Sequence, residues 1–138
     1  MREETKDAKY AFIMVNKRVK TKIVVENNGR LENPRSGTVL DHSITPQDVY
    51  DFYLVSQICK QGVATPSHYS ILHDSMGAKP EDLIKLTHYL CFLYYNYSGP
   101  VKIPAPVKYA DRLAKMIGER KITKPHDHFH NLNSLYYI

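Results

Sequence analysis

Cysteine is scarce here: Cys59 and Cys91 are the only two, and no CxxC spacing surrounds either. That argues against a disulfide framework and against a thiolate zinc site, and leaves two buried, reduced thiols as the expectation. No apolar stretch follows Met1, and no apolar run approaches about 18 residues, the length a membrane-crossing helix needs. A signal peptide and a transmembrane helix are therefore not expected, and the protein is expected to be soluble and intracellular. Acid is in deficit, with 14 Asp and Glu against 19 Lys and Arg, a formal net charge of +5. Such a balance favours a polyanionic partner, either nucleic acid or an anionic membrane surface, without choosing between them. Internal repeats and low-complexity tracts are absent too, which argues against solenoids and disordered tracts.

What remains is an ordinary globular composition. Apolar residues make up 43% of 138 positions and charged residues 24%, enough for one hydrophobic core and too little chain for two domains of ordinary size. Residues 10–15 (YAFIMV) form a continuous apolar run suited to a strand buried on both faces. The basic stretch 16–22 follows, and residues 23–25 read as a shorter strand paired to the first through a turn at residues 17–20. Residues 27–37 carry Asn27, Asn28, Gly29, Asn33, Pro34, Ser36 and Gly37, a loop signature. Three further strands are expected at 38–44 (TVLDHSI), 51–56 (DFYLVS) and 68–73 (HYSILH). Pro80, Glu81 and Asp82 open a helix, because proline fits the first turn and acids suit the positive end of the dipole. Its apolar stripe is Leu83, Leu86, Leu90, Leu93 and Tyr94. A second helix is expected from Pro106 to about Gly118, with Val107, Ala110, Ala114 and Ile117 as its stripe and Asp111 at the edge. Strands followed by helices indicate a layered α/β or α+β unit with a mostly buried mixed sheet.

Two histidine patterns invite chemistry. His126, His128 and His130 alternate in PHDHFH, but that spacing is no zinc signature. His68 opens a strand, and a structural role, hydrogen-bonded to backbone, is the expectation.

From Gly37 onward the order of motifs resembles the Piwi clade of the Argonaute family: GTVLDHSIT, YDFYLVSQ, KQGVATPSHYSIL, LTHYLCFLYYNYSGPVKIPAPVKYADRLA and the closing LYYI, with YAFIMVNKR matching before them. The resemblance implies the C-terminal portion of an RNase H-like (Piwi) fold of the α/β class, a mixed sheet with two C-terminal helices. Residues 1–138 would form a partial Piwi domain, its upstream half lying before Met1. It also implies a catalytic set of three acids and a final His or Asp on the helix after the PAP motif. That last position maps onto Asp111, as catalytic and metal-site residue, where many relatives have His. The three earlier acids are expected before Met1. Mg²⁺ or Mn²⁺ is the implied cofactor, but one carboxylate cannot clamp the ions that phosphoryl displacement needs, so tight binding by this chain alone is not expected, nor is cleavage.

The resemblance places guide contacts on the loop before the last strand and on the turn between the helices. Here these stretches supply Gln57, Lys60, Gln61 and Thr65, then Tyr94, Asn96, Lys102, Lys108 and Tyr109. Lys neutralises phosphate, while Gln, Asn and Tyr hydrogen-bond sugar and phosphate without reading base edges. Ile138 joins them, since the family's apolar terminus returns to the core with its carboxylate near the guide's 5′ phosphate. The partners implied are a small guide RNA and its complementary target, with silencing-complex proteins as further candidates and no membrane; the role is RNA-mediated silencing of the piRNA type, in the cytoplasm or nucleus. Two other readings stay open: the C-terminal piece of an active metal-dependent endoribonuclease, and a partner-docking module without RNA binding. For Asp111 the plain alternative is an ion pair with Lys108 or Lys115, and for Tyr94, Tyr95 and Tyr97 it is packing.

Overall fold

The computed structural model describes residues 8–41 and 50–120. Within them β1 (Ala11–Asn16), β2 (Val25–Asn27), β3 (Arg30–Glu32), β4 (Thr38–Leu40), β5 (Asp51–Val55) and β6 (Ser67–Asp74) precede α1 (Pro80–Leu90) and α2 (Ala105–Arg120). The main sheet has the order β1-β6-β5-β4, and all three of its pairings are antiparallel. The α/β expectation of a sheet followed by two helices holds; a parallel pairing of the expected mixed sheet would need residues beyond these four strands.

Side-chain alternation assigns β5 to two cores. Phe52 and Leu54 point to one face, where they join Tyr69 and partly buried Ile13, Val15, Val39, Ile71 and Ile84 of α1; Phe52 and Tyr69, opposite each other in register, stack at 4.9 Å. Val55 points to the other face and packs on Ile23 and Ala64. This two-sided burial explains why residues 52–55 of β5 are apolar at consecutive positions.

β1 departs from expectation. It alternates between half-buried and exposed residues, with Phe12 59% and Met14 48% exposed, because it has only one neighbour among the described residues and only its Ile13 and Val15 side meets the core. Nor does β1 pair with residues 23–25. It pairs with β6, and β2 instead forms a separate hairpin with β3. The turn of that hairpin is Asn28-Gly29, both with positive φ (50° and 77°), the combination a two-residue hairpin turn requires; the asparagines expected to mark a loop make a turn. β4 ends at Leu40, and positions 42–44 of the expected strand lie outside the described residues.

Both helices begin as expected, with Pro80 at the first turn beside Glu81 and Asp82, and Pro106 one residue into α2. The turn before α1 is held by Asp74, whose carboxylate accepts from the Met76 and Ala78 N–H groups at 2.8 and 2.9 Å. α1 stops at Leu90, four residues short of the expected stripe, and buries Leu83 and Thr87, whereas Leu86 and Leu93 are exposed. Thr87 can enter the core because its hydroxyl donates to the Leu83 carbonyl at 2.7 Å. In α2 the stripe is rotated as well: Ala105 and Tyr109 are buried while Ala110 and Ala114 are exposed. The bulk of Tyr109 sets that rotation, since a large ring removes more apolar area from water than two alanines. Both cysteines are free; Cys91 is buried but Cys59 is only half-buried.

Candidate nucleic-acid interface

Three segments distant in sequence are stitched together at the end of the sheet where β5 stops and β6 starts. Ser56, just after β5, is 1% exposed; its hydroxyl lies 2.7 Å from the Val101 carbonyl and 2.9 Å from that of Lys102. The Ser67 hydroxyl at the start of β6 donates to the same Lys102 carbonyl at 3.1 Å. The turn between the helices is thus anchored to the sheet through its backbone, which frees the Lys102 side chain to point elsewhere. Its ammonium donates to Thr65 Oγ1 at 3.1 Å, and partial burial holds its pKa below the usual lysine value. Thr65 and Lys102, from the two stretches expected to contact a guide, therefore touch.

Around them lies a groove of about 220 Å³ lined by Lys17, Arg18, Lys102, Ile103, Lys108, Asp111 and Lys115. Among the described residues, five cationic side chains face one carboxylate. Asp111 is bonded by the Lys17 ammonium and paired with Lys115 at 3.4 Å, and the Lys17 hydrogen bond holds its carboxyl below the usual carboxylate range. The ion-pair alternative thus describes Asp111, with Lys115 as foreseen and Lys17 in place of Lys108. Two ammonium groups on its oxygens oppose a divalent cation, and among the described residues no group of three or more His, Cys, Asp or Glu could hold a metal ion. This donor set does not fit Mg²⁺ or Mn²⁺. Nor is Asp111 the chain's only acid on this body: Asp41 follows β4, its charge helping to raise the Tyr50 phenol's pKa after burial, and Asp51 opens β5. Neither lines the groove.

Beside the groove the tyrosines divide. Tyr109 is buried, and its hydroxyl accepts from the Tyr95 N–H at 2.8 Å, so it is a support. Tyr94 packs on Tyr109 at 5.2 Å, with the Lys108 ammonium 5.9 Å from its ring centre. Hydrogen bonds from Asn96 first, then Arg112, lower the Tyr94 phenol's pKa. Thr65, Lys102, Lys108, Tyr94, Tyr109 and Asn96 are thus brought into one neighbourhood. Of the expected contacts only Lys102, Lys108 and Asp111 line the groove itself; Thr65, Tyr94, Asn96 and Tyr109 lie outside its lining, as do Gln57, Lys60 and Gln61. These last three sit on a loop whose shape is fixed by Asn33, which donates to the Gly62 carbonyl at 2.7 Å and accepts from the Ala64 N–H at 2.8 Å. Ile138 and the triplet His126, His128 and His130 lie outside the described residues.

Lys17, Arg18 and Arg112 were not singled out as contacts from sequence. The basic stretch 16–22 was the available signal, but only the β1–β6 pairing brings it to α2. His68, expected to bond backbone, meets the Asp51 carboxylate at 2.9 Å and stacks on Tyr53 at 4.6 Å, because its register partner is Tyr53.

Comparison with known proteins bears on the family and the fold. The Piwi domain family model matches residues 1–121. Protein argonaute-3 of Drosophila melanogaster is 48% identical over 111 residues, 80% of this chain and 13% of that protein. Human Piwi-like protein 3 is 40% identical over 109 residues, 79% of this chain and 12% of that protein. The chain thus spans a small part of the relatives it matches. Among solved structures, Drosophila Piwi aligns with a TM-score of 0.72 at 44% identity, over 80% of this chain and 15% of that one. Kluyveromyces polysporus Argonaute with a guide RNA aligns at 0.67 and 28%, over 78% and 13%. With the family model covering most of the chain and relatives near half identity, this chain belongs to the Piwi domain family and is related to Argonaute proteins of the Piwi clade.

Proposed function

We propose that this chain is a guide- and target-RNA-holding portion of a Piwi protein, gripping the sugar-phosphate backbone at the groove between the end of β1, the interhelix turn and α2. The observation that carries this reading is the convergence of Lys17, Arg18, Lys102, Lys108 and Lys115 on a groove with one carboxylate among the described residues. Asp111 neutralises part of that charge through Lys17 and Lys115, leaving Lys102, Lys108 and Arg18 to face an anion. Lysine recognises phosphate by charge alone, so the grip is indifferent to sequence, and sequence is left to base pairing between guide and target. That a solved Argonaute at 28% identity carries a guide RNA supports the choice of ligand class.

The endonuclease reading asks Asp111 to hold metal, and its two lysine partners disfavour that. Fluorescence anisotropy of the 138-residue chain with a labelled single-stranded RNA across a salt series tests the binding reading. The logarithm of affinity should fall with that of salt, by about 0.7 per phosphate contact. Lys102→Ala and Lys108→Ala should each flatten the slope by about that amount. Binding indifferent to salt, or none by folded protein, refutes it.

A further inference from the structure

Next to the groove, the interhelix turn carries rings that the backbone-gripping role does not use. Tyr95 is 84% exposed and Tyr97 55% exposed, on a turn fixed at several points. The Tyr95 N–H is held by the buried Tyr109 hydroxyl at 2.8 Å, and the Tyr97 N–H donates to the Tyr94 carbonyl at 3.2 Å. The Val101 N–H closes the turn on the Cys91 carbonyl at 2.9 Å. One edge of the Tyr97 ring lies over Gly99, where a Cβ would come within 3.0 Å of it. A large aromatic ring held in water on an ordered turn has apolar area left uncovered.

The surroundings choose the class of molecule that covers it. The preceding residue, Tyr94, lines a second groove of about 290 Å³ with Lys108, Asp111, Arg112, Lys115, Met116 and Glu119. A protein partner seated on the tyrosines would have to desolvate those cations or supply acids to meet them. A polynucleotide supplies both needs at once, phosphates for the cations and flat bases for the rings. Resting on the RNA-binding reading above, we propose that Tyr95 and Tyr97 form a stacking platform for unpaired nucleobases, so that this surface takes single-stranded RNA in preference to duplex.

The test compares three probes of equal length on the full chain: a single-stranded oligouridine RNA, its abasic counterpart with the same sugar-phosphate backbone, and a duplex. Stacking on one ring is worth enough that Tyr95→Ala should weaken oligouridine binding by about fivefold or more while leaving abasic binding unchanged. Tyr95→Phe should retain wild-type affinity, and oligouridine should outcompete the duplex. Lys102→Ala should weaken oligouridine and abasic binding alike. If Tyr95→Ala leaves oligouridine unaffected, or weakens the abasic probe equally, the platform is refuted while the salt-sensitive groove stands. If Tyr95→Ala changes only the oligomeric state, the rings serve a protein contact and the platform is likewise refuted. If no probe binds the folded chain, both readings fall.

Discussion

Asp111 illustrates how much a residue's role depends on neighbours that sequence distance conceals. It sits on α2, yet its strongest partner is Lys17, just past β1. Removing its charge by Asp111→Asn should strengthen single-stranded RNA binding about two- to fivefold at low salt, because an anion is deleted from a cationic groove. The gain should vanish near 1 M salt, where the Debye length shrinks to about 3 Å. A metal ligand would behave oppositely, its loss weakening any Mg²⁺-dependent binding. Because its folded pKa is depressed by Lys17, the ion pair adds stability that is complete above the unfolded value of about 3.9 and is lost as pH falls through the lower folded value. Ser56 matters in a different way, as the buried hydroxyl that fixes the carbonyls of Val101 and Lys102. Ser56→Ala should destabilise the chain by about 1–3 kcal/mol through those deprived carbonyls, measured by urea denaturation, and should slacken the Lys102 grip as well.

Among the elements, those with strong local signals were legible. Pro80 with two acids started α1, and the aromatic and branched residues within 51–56 marked a strand. What sequence could not convey was pairing and rotation. Two short strands near each other suggested a hairpin through residues 17–20, but the Asn28-Gly29 turn closed a different one. Alanines at helical spacing suggested the buried side of α2, but Tyr109 outweighed them. The candidate contacts divided for the same reason: Thr65 and Lys102 meet because Ser56 and Ser67 tie the turn to the sheet, an arrangement no local pattern encodes. The β2–β3 hairpin stands apart from the main sheet, so Gly29→Val, at φ 77° with open space around its Cβ, should cost about 1–2 kcal/mol of purely backbone origin. Hydrogen exchange should quicken in β2 and β3, with RNA affinity unchanged. His88, near the end of α1, packs edge-on against Phe92 at 5.0 Å, and its buried Nδ1 has no hydrogen-bond partner among the described residues. Burial lowers its pKa, so the unfolded chain takes up the proton first: stability is full above about pH 6.5 and declines as pH falls toward the folded value. His88→Leu should reduce that decline in denaturation midpoints measured between about pH 7 and pH 5.

At the scale of the whole molecule, Ile84 of α1 packs against Phe52, Leu54 and Tyr69 on one face of the main sheet, and the other face is covered only in part. Tyr10, Phe12, Met14 and Leu72 are all about half exposed or more, and β1 is an edge strand among those described. An apolar edge strand offers both unpaired backbone groups and a dry surface, the two ingredients of edge-to-edge pairing. The chain matches only 13% of the length of Drosophila argonaute-3. Alone, the chain should associate with itself as concentration rises, and light scattering coupled to gel filtration should record the growth. Phe12→Lys and Met14→Glu, on the exposed side of β1, should restore the monomer because a charge at an edge must be desolvated for a second strand to pair. Neither change touches Ile13 or Val15 of the core, so thermal unfolding should remain cooperative. The groove begins past the end of β1, at Lys17 and Arg18, and should keep its salt-dependent affinity in both variants. Association that persists in the double variant would move the sticky surface from β1 to the exposed tyrosines of the turn, where Tyr95→Ala would then have to abolish it.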